Sequence, residues 1–511
     1  MTSEGHSSPP ITVLDLFAGC GGLTEGFHQY RPEGTPGPVF RSVGAVEWEP
    51  TAAASYAANF GAGSSRLGNF GSPEIVCRTI VGWEPRWKPG EIDVVVGGPP
   101  CQGFSGLNRE KVNPERNTLW EEFIRVVVAL QPKVFVIENV DRFLRSAEFR
   151  DLKYRIGGTD LKNYRLVDPG SKPNETEEEH DRRYLLNAAN FGAPQARRRA
   201  IVIGVRTDAG LPSDLLSYPT PTHTKVALRD EVLTKRHRIS SLGTQAEAAA
   251  WATVDELFED SATNEIAPDL PVVHPRQVSG IAGRFAGPFL TTDLHIGRKP
   301  EPISLSRYRA IPKNGNRKDL RGRYACRFAD GGEIIIQKVS HHRGSGGALN
   351  VLGAHVEVID GLTTERQVTV RDVIRLEEST TVGRRRSKSE LFNAVVSDGV
   401  VDRAAVLEYL STEAWDSHDA GSGDVMGRLR SGAPSVTIRT EFFKPEKGRY
   451  LHPVEDRPIT HFEAAKLQGF PDDFQWYGSK TDIAKQIGNA VPIPLGRKIA
   501  ESIYSYLHTT E

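Results

Sequence analysis

Three stretches of this chain hold residue types that could act together on one substrate. The first is Ile92-Asp93-Val94-Val95-Val96-Gly97-Gly98-Pro99-Pro100-Cys101-Gln102-Gly103-Phe104-Ser105, in which a thiol follows two prolines. Proline fixes φ and removes a backbone donor, so Cys101 rides on a stiff loop, as suits a nucleophile. A lone cysteine is also among the side chains most often buried as a small hydrophobe, and it gains meaning only with partners. The second stretch, Lys133-Val134-Phe135-Val136-Ile137, delivers Glu138-Asn139-Val140. A carboxylate at the end of so apolar a run is costly unless it is used or paired. The third is Gln195-Ala196-Arg197-Arg198-Arg199, leading into Ala200 to Val205. If side chains alternate there, Arg197 and Arg199 share one face.

These residues need elements that bring them to one place. Runs rich in Val and Ile that end in glycine read as buried parallel strands, and open α/β folds bind ligands at the carboxyl edge of such strands. Ile11 to Phe17 predicts a first strand, followed by the turn Ala18-Gly19-Cys20-Gly21-Gly22 and a helix through Phe27. A glycine-rich turn beside a helix N-terminus lets backbone N–H groups approach a ligand, although it is also plain topology in many folds. Ser42 to Val46 predicts a second strand ending in Glu47-Trp48, where doubly wound folds place an acid on a ribose. Trp48 offers a flat face for an adenine, its alternative being a core side chain. Gly68-Asn69-Phe70 would be a further loop at a strand end.

The 511 residues leave room for two or three domains. With 64 basic and 65 acidic residues the net charge is -1, so a surface for nucleic acid has to be local. The 4 cysteines lie far apart without a CxxC pair or a secretory leader, which sets the expectation of reduced thiols in a cytosol. The longest apolar run, Val126 to Val140, is interrupted by Gln131, Pro132 and Lys133 and cannot span a bilayer. Asn163 to Arg183 reads as a solvated loop, and Arg206 to Thr224 as a linker. From 225 to 455 there is no sustained period. Basic clusters there (Arg307 to Arg309, Lys313 to Arg323, His341 to Arg343, Arg384 to Lys388) interleave with Tyr308, Tyr324, Phe442, Phe443 and Tyr450, and together suit a groove for phosphates. His341-His342 lacks further ligands at metal spacing, so no metal is expected.

As a set, these stretches resemble the bacterial DNA (cytosine-5)-methyltransferase family of restriction-modification type, in its unpermuted order. Asp15 to Gly22 is similar to the family's first motif, Gly97 to Ser105 to its Pro-Cys-Gln motif, Glu138-Asn139-Val140 to Glu-Asn-Val, and Gln195 to Arg199 to Gln-x-Arg-x-Arg. Arg457 to Pro471 and Gln486 to Pro492 resemble the ninth and tenth motifs. The likeness covers residues 11–205 and 425–510. Asn69 departs from it, standing where many members carry an acid facing the adenine amino group, and Phe462 takes the place of a common arginine. An insertion around 327–414, with an Arg-rich segment and a helix-like piece from Val400 to Leu410, lies outside the likeness.

The resemblance implies an α/β fold, a Rossmann-like S-adenosylmethionine-dependent methyltransferase sheet with a second, smaller irregular target-recognition domain. The catalytic domain would span 1–224 and the recognition domain 225–455, with 456–511 returning to the catalytic domain. Catalysis falls to Cys101, Glu138, Arg197 and Arg199. Phe17 and Trp48 would flank the adenine of S-adenosylmethionine and Glu47 would bind its ribose. Gly19, Gly21 and Gly22 would meet the methionine part, Asn489 and Val491 would close the pocket, and Asp15, Asn69 and Pro99 complete that set. Gln102, Ser105, Asn139, Gln195 and Thr437 would contact the substrate. Double-stranded DNA is the implied partner, with a cognate restriction endonuclease acting separately, in the cytoplasm at the bacterial nucleoid. The rival readings are an RNA cytosine-5 methyltransferase, a catalytically silent DNA-binding relative, and a thiol hydrolase, which lacks a matching histidine near a strand end.

Overall fold

The computed structural model describes residues 9–35, 37–67, 70–100, 118–225, 248–261, 265–338, 355–360, 363–376, 391–417 and 424–508. Its first half builds β1 (Ile11–Leu16), α1 (Gly22–Gln29), β2 (Phe40–Glu47), α2 (Pro50–Phe60), β3 (Glu74–Cys77), β4 (Val94–Gly97), α3 (Thr118–Leu130), β5 (Val134–Asn139), β6 (Tyr164–Leu166), β7 (Leu185–Asn187), β8 (Gln195–Ala196) and β9 (Arg198–Arg206). The main sheet runs β3-β2-β1-β4-β5-β9-β6, with β7 also paired to β9. β1 to β5 are parallel and β9 runs antiparallel to β5.

Alternation along these strands explains why they are apolar on both sides. Val94 and Val96 of β4 pack in one layer with Leu23 and Phe27 of α1 and with Leu495, Ile499 and Ile503 of the C-terminal helix Ile493–Leu507. Val95 turns the other way, onto Phe123, Ile124 and Val127 of α3. A strand covered on both faces has no solvent side to show, hence the unbroken Val-Val-Val.

Strand order reverses between β1 and β4, the crevice position of a doubly wound sheet. The turn after β1 and the end of β4 therefore face one another at the carboxyl edge. β2 adds Glu47 to that edge, and β5 adds Glu138.

Between Asn163 and Arg183 the structure replaces the expected solvated loop with β6 and a short helix, Glu177–Asp181. That helix is started by a Thr176–Glu179 capping box. Within the insertion lies a closed six-stranded antiparallel barrel, formed by Arg323–Phe328, Glu333–Lys338, His355–Asp360, Thr363–Arg375, Leu391–Ser397 and Asp402–Tyr409. The helix-like reading of Val400 to Leu410 is thereby corrected to a strand. Its Arg-Ala-Ala text favours a helix, but Ala405 and Leu407, two apart, both fill the barrel interior, and that packing overrides propensity. Tyr324 and Cys326 also point inward, while Ala325 between them meets Tyr308, Leu320 and Leu410 outside the barrel.

The last segment packs back on the first domain. Helix His461–Gln468 starts at a Thr460–Glu463 capping box and stops at Gly469 in the left-handed region. Helices Lys480–Asn489 and Ile493–Leu507 follow, joined by Ala490-Val491-Pro492. Among the described residues no helix is long and apolar enough to cross a membrane.

Candidate active site

Strand register alone brings the acid and one guanidinium together. Gly97 of β4 pairs with Ile137 of β5, so Gly98 stands abreast of Glu138. Glu138 in turn pairs with Ile201 of β9, which puts Arg199, two residues away, on the same face as its diagonal neighbour. The resulting ion pair, Arg199 Nε to Glu138 Oε1 at 2.9 Å, is largely shielded from solvent. Arg198 takes the opposite face and is exposed, with Nη2 3.7 Å from Asp141 Oδ2.

Asn139 does not extend into the crevice. It is buried, and its amide donates to the Pro99 carbonyl at 2.9 Å while its Oδ1 accepts from Val140 N at 2.8 Å. The strand bearing the acid is thus fastened to the loop that leads to Cys101. Cys101, Gln102, Ser105 and Asn69 lie outside the described residues.

Arg197 and Gln195 occupy an interior junction. Arg197 is 2 % exposed and donates from Nη1 to Ile438 O (2.9 Å) and from Nη2 to Gly488 O (3.0 Å). Burial pushes its guanidinium down to about 9, and the charge of Arg199 pushes the same way. Gln195 accepts from Ile438 N at 2.9 Å and donates to Gln468 Oε1 at 2.9 Å and to Leu467 O at 3.2 Å. Gln468 passes the chain on to Ile487 O at 2.6 Å. Beside this junction, β8 pairs with Ser435–Val436, and the Thr437 hydroxyl reaches Ala196 O at 3.4 Å. The expected pocket residues Arg197 and Gln195 therefore tie three chain segments together, and Arg199 alone of that motif meets Glu138.

Across the crevice, the turn after β1 is built to leave backbone bare. Phe17, Gly19 and Gly21 all have positive φ. A Cβ on Gly21 would strike Phe60 at 2.4 Å, and one on Gly22 would press on Ala490 and the Val491 backbone, whereas the space beside Gly19 is open. Val491 thus closes the turn from behind, and Asn489 is exposed at the end of its helix. Glu47 is buried, accepting from Gly19 N and Glu49 N, each at 2.8 Å. Burial raises its carboxyl above the ordinary value, and those N–H groups oppose the rise. Trp48 is 70 % exposed, which excludes the core reading.

Asp15 lies beneath this turn. Its carboxylate accepts from the Thr24 hydroxyl at 2.6 Å, and Thr24, Tyr56 and Ser42 continue a buried hydroxyl chain at 3.1 and 2.9 Å. Burial pushes Asp15 up to about 7; the Thr24 hydrogen bond lowers it and the Glu47 charge raises it. Open space beside Gly19, an exposed indole and a buried acid holding the turn fit a ligand with a flat base, a ribose and a small charged tail.

The basic clusters nearest the barrel divide: Arg309, Lys313 and Lys318 are exposed, while the others are engaged by the protein itself. Arg307 donates to Leu410 O and lies over the Trp415 ring, Arg317 and Arg321 reach Trp415 O, and Arg323 is buried. Tyr308, Tyr324, Phe442 and Tyr450 are core residues. His341 to Arg343 and Arg384 to Lys388 lie outside the described residues.

Comparison with known proteins gives the family. The family model of C-5 cytosine-specific DNA methylases matches residues 11–269 and 360–505. The type II methyltransferase M.XorII of Xanthomonas oryzae pv. oryzae is 36% identical over 97% of this chain and 84% of its own length. M.AgeI of Thalassovita gelatinovora is 27% identical over 96% and 99%. DNA (cytosine-5)-methyltransferase PliMCI of Paracentrotus lividus is 27% identical over 98% of this chain, which spans only 28% of that relative. A solved prophage protein of E. coli, titled a putative DNA modification methyltransferase, shares the fold with a TM-score of 0.51 at 19% identity, covering 97% of this chain and 99% of its own. The chain belongs to the C-5 cytosine-specific DNA methylase family.

Proposed function

We propose that this chain transfers a methyl group from S-adenosylmethionine to C5 of a cytosine flipped out of a specific duplex DNA sequence, through a covalent Cys101–C6 adduct. The observation that carries the proposal is the placing of the Glu138–Arg199 pair and the Pro99 carbonyl opposite the bare glycine turn, across one crevice.

C5 of cytosine is a weak nucleophile, so electrons must first enter the ring at C6. The Cys101 thiolate supplies them by forming the S–C6 bond. Charge then gathers at N3, which Glu138 serves by sharing a proton with the ring, and Arg199 keeps the carboxyl in place. When bound, S-adenosylmethionine provides an electrophilic methyl group for the activated C5. Phe17 and Trp48 hold its base, Glu47 its ribose, and the backbone of Gly19 to Gly22 its methionine part. A base then takes the C5 proton and the S–C6 bond breaks, returning the thiolate. Because attack comes perpendicular to the ring, a stacked base is out of reach and the cytosine must leave the helix. Thr437 lines the flipped nucleotide's path, and Arg197 keeps that segment seated against the sheet. The recognition region spans 225–455 between a catalytic domain of 1–224 and the returning 456–511, and the protein works on DNA in the bacterial cytoplasm. The names of M.AgeI and M.XorII favour a restriction-modification setting.

The test is to incubate the protein with tritiated S-adenosylmethionine and unmodified genomic DNA, beside Cys101→Ser, and to map the product by bisulfite sequencing. Label from wild type alone, at cytosines in one shared short context, is the expected result. No label from cofactor-bound wild type would refute the proposal.

A further inference from the structure

The two glycines before Pro99 are needed for different reasons. A Cβ on Gly97 would meet Leu16 O at 2.6 Å and the Phe123 ring at 3.0 Å, so Gly97 serves the packing of β4 between β1 and α3. A Cβ on Gly98 would meet Glu138 Oε2 at 2.8 Å and Glu138 O at 3.4 Å. Gly98 is absent from the positive-φ residues, so its backbone conformation does not itself demand glycine.

We infer that Gly98 is a positioning residue for the reaction: its missing side chain is the space in which the Glu138 carboxylate sits. This rests on the reading of Glu138 as the group that serves N3. With alanine at 98, something must yield, and the backbone on either side is held. Gly97 is fixed in the ladder to Leu16 and Ile137, and the Pro99 carbonyl is held by the Asn139 amide. The free end of the Glu138 side chain is the part that can move. A carboxylate tip swings at little cost to folding, yet its displacement carries Oε2 away from the crevice and strains the 2.9 Å contact of Oε1 with Arg199. Alanine at 98 therefore leaves the fold intact and misplaces the acid.

The experiment compares Gly98→Ala, Glu138→Asp and the double variant with wild type in steady-state methyl transfer, alongside binding of S-adenosylhomocysteine and of duplex DNA. Gly98→Ala is expected to lower kcat about tenfold, the scale of a few tenths of an ångström in a catalytic group, while KM for DNA and the affinity for S-adenosylhomocysteine stay within twofold. Aspartate, one methylene shorter, relieves the contact, so the double variant should lose less than the product of the two single losses. A wild-type kcat in Gly98→Ala, or strictly multiplicative losses, would overturn the inference while leaving the methyltransferase reading intact. If wild type itself transfers no methyl group, that reading fails. A crystal structure of Gly98→Ala then decides the positioning role alone: a displaced carboxylate supports it and an unmoved one refutes it.

Discussion

Replacing Asp15 by asparagine should stabilise the protein progressively as pH rises. Asp15 is fully enclosed beneath the glycine turn, and burial lifts its carboxyl from 3.8 to about 7. In the unfolded chain the group loses its proton near 4, in the native state near 7. Below pH 4 both states hold the proton and the native state keeps the full advantage of the neutral form. Between 4 and 7 only the native state holds it, so stability falls by about 1.4 kcal/mol per pH unit. Above 7 the advantage is gone, roughly 4 kcal/mol in all. Asparagine accepts the Thr24 hydrogen bond without an ionisation to suppress, so its stability lacks this slope. In urea titrations followed by tryptophan fluorescence, the variant-minus-wild-type difference should grow in the variant's favour by roughly 2–3 kcal/mol from pH 5 to pH 8. A difference that stays flat across that range would show that Asp15 is ionised throughout, and would refute the reading that burial lifts its carboxyl.

Two further outcomes are expected. Arg197→Ala strands the carbonyls of Ile438 and Gly488 in the interior and should cost about 2–5 kcal/mol, with Arg197→Lys intermediate because an ammonium cannot span both; equal urea midpoints for all three proteins would count against the junction. Trp48→Ala removes an exposed ring, so stability should hold within about 0.5 kcal/mol while S-adenosylhomocysteine binding weakens roughly two- to tenfold; unchanged titration calorimetry would remove Trp48 from the cofactor site.

The parallel half of the fold is legible because its strands are buried on both faces and so are written as unbroken Val and Ile runs. The edge residues follow from where those runs stop: Glu47, Glu138 and the glycine turn stand where reading the strand ends puts them. Alternation also separates Arg198 from its neighbours. What stays hidden depends on partners distant in sequence. Nothing local distinguishes Arg197, satisfied by carbonyls some 240 and 290 residues away, from Arg199, satisfied by an acid. Arg307, Arg317, Arg321 and Arg323 look like a phosphate surface until the carbonyls they cap come into view. The barrel escapes notice because Arg403-Ala404-Ala405 in its last strand carries a helical propensity that only the assembled interior outweighs. Gly98 looks like ordinary strand punctuation until β5 lies beside it.

The barrel's first and last strands lie side by side, Tyr324 opposite Tyr409. Chain leaves the body of the protein at one point and comes back within about 5 Å of it, the spacing of facing residues in an antiparallel pair. A connection of two or three residues would bridge the same gap. The six-stranded unit thus closes on itself yet is not loose: Ala325 and Ile335 on its outer face share a buried cluster with Tyr308, Leu320, Met426 and Leu451, so cutting the unit out would uncover that cluster as well as ask for a new join.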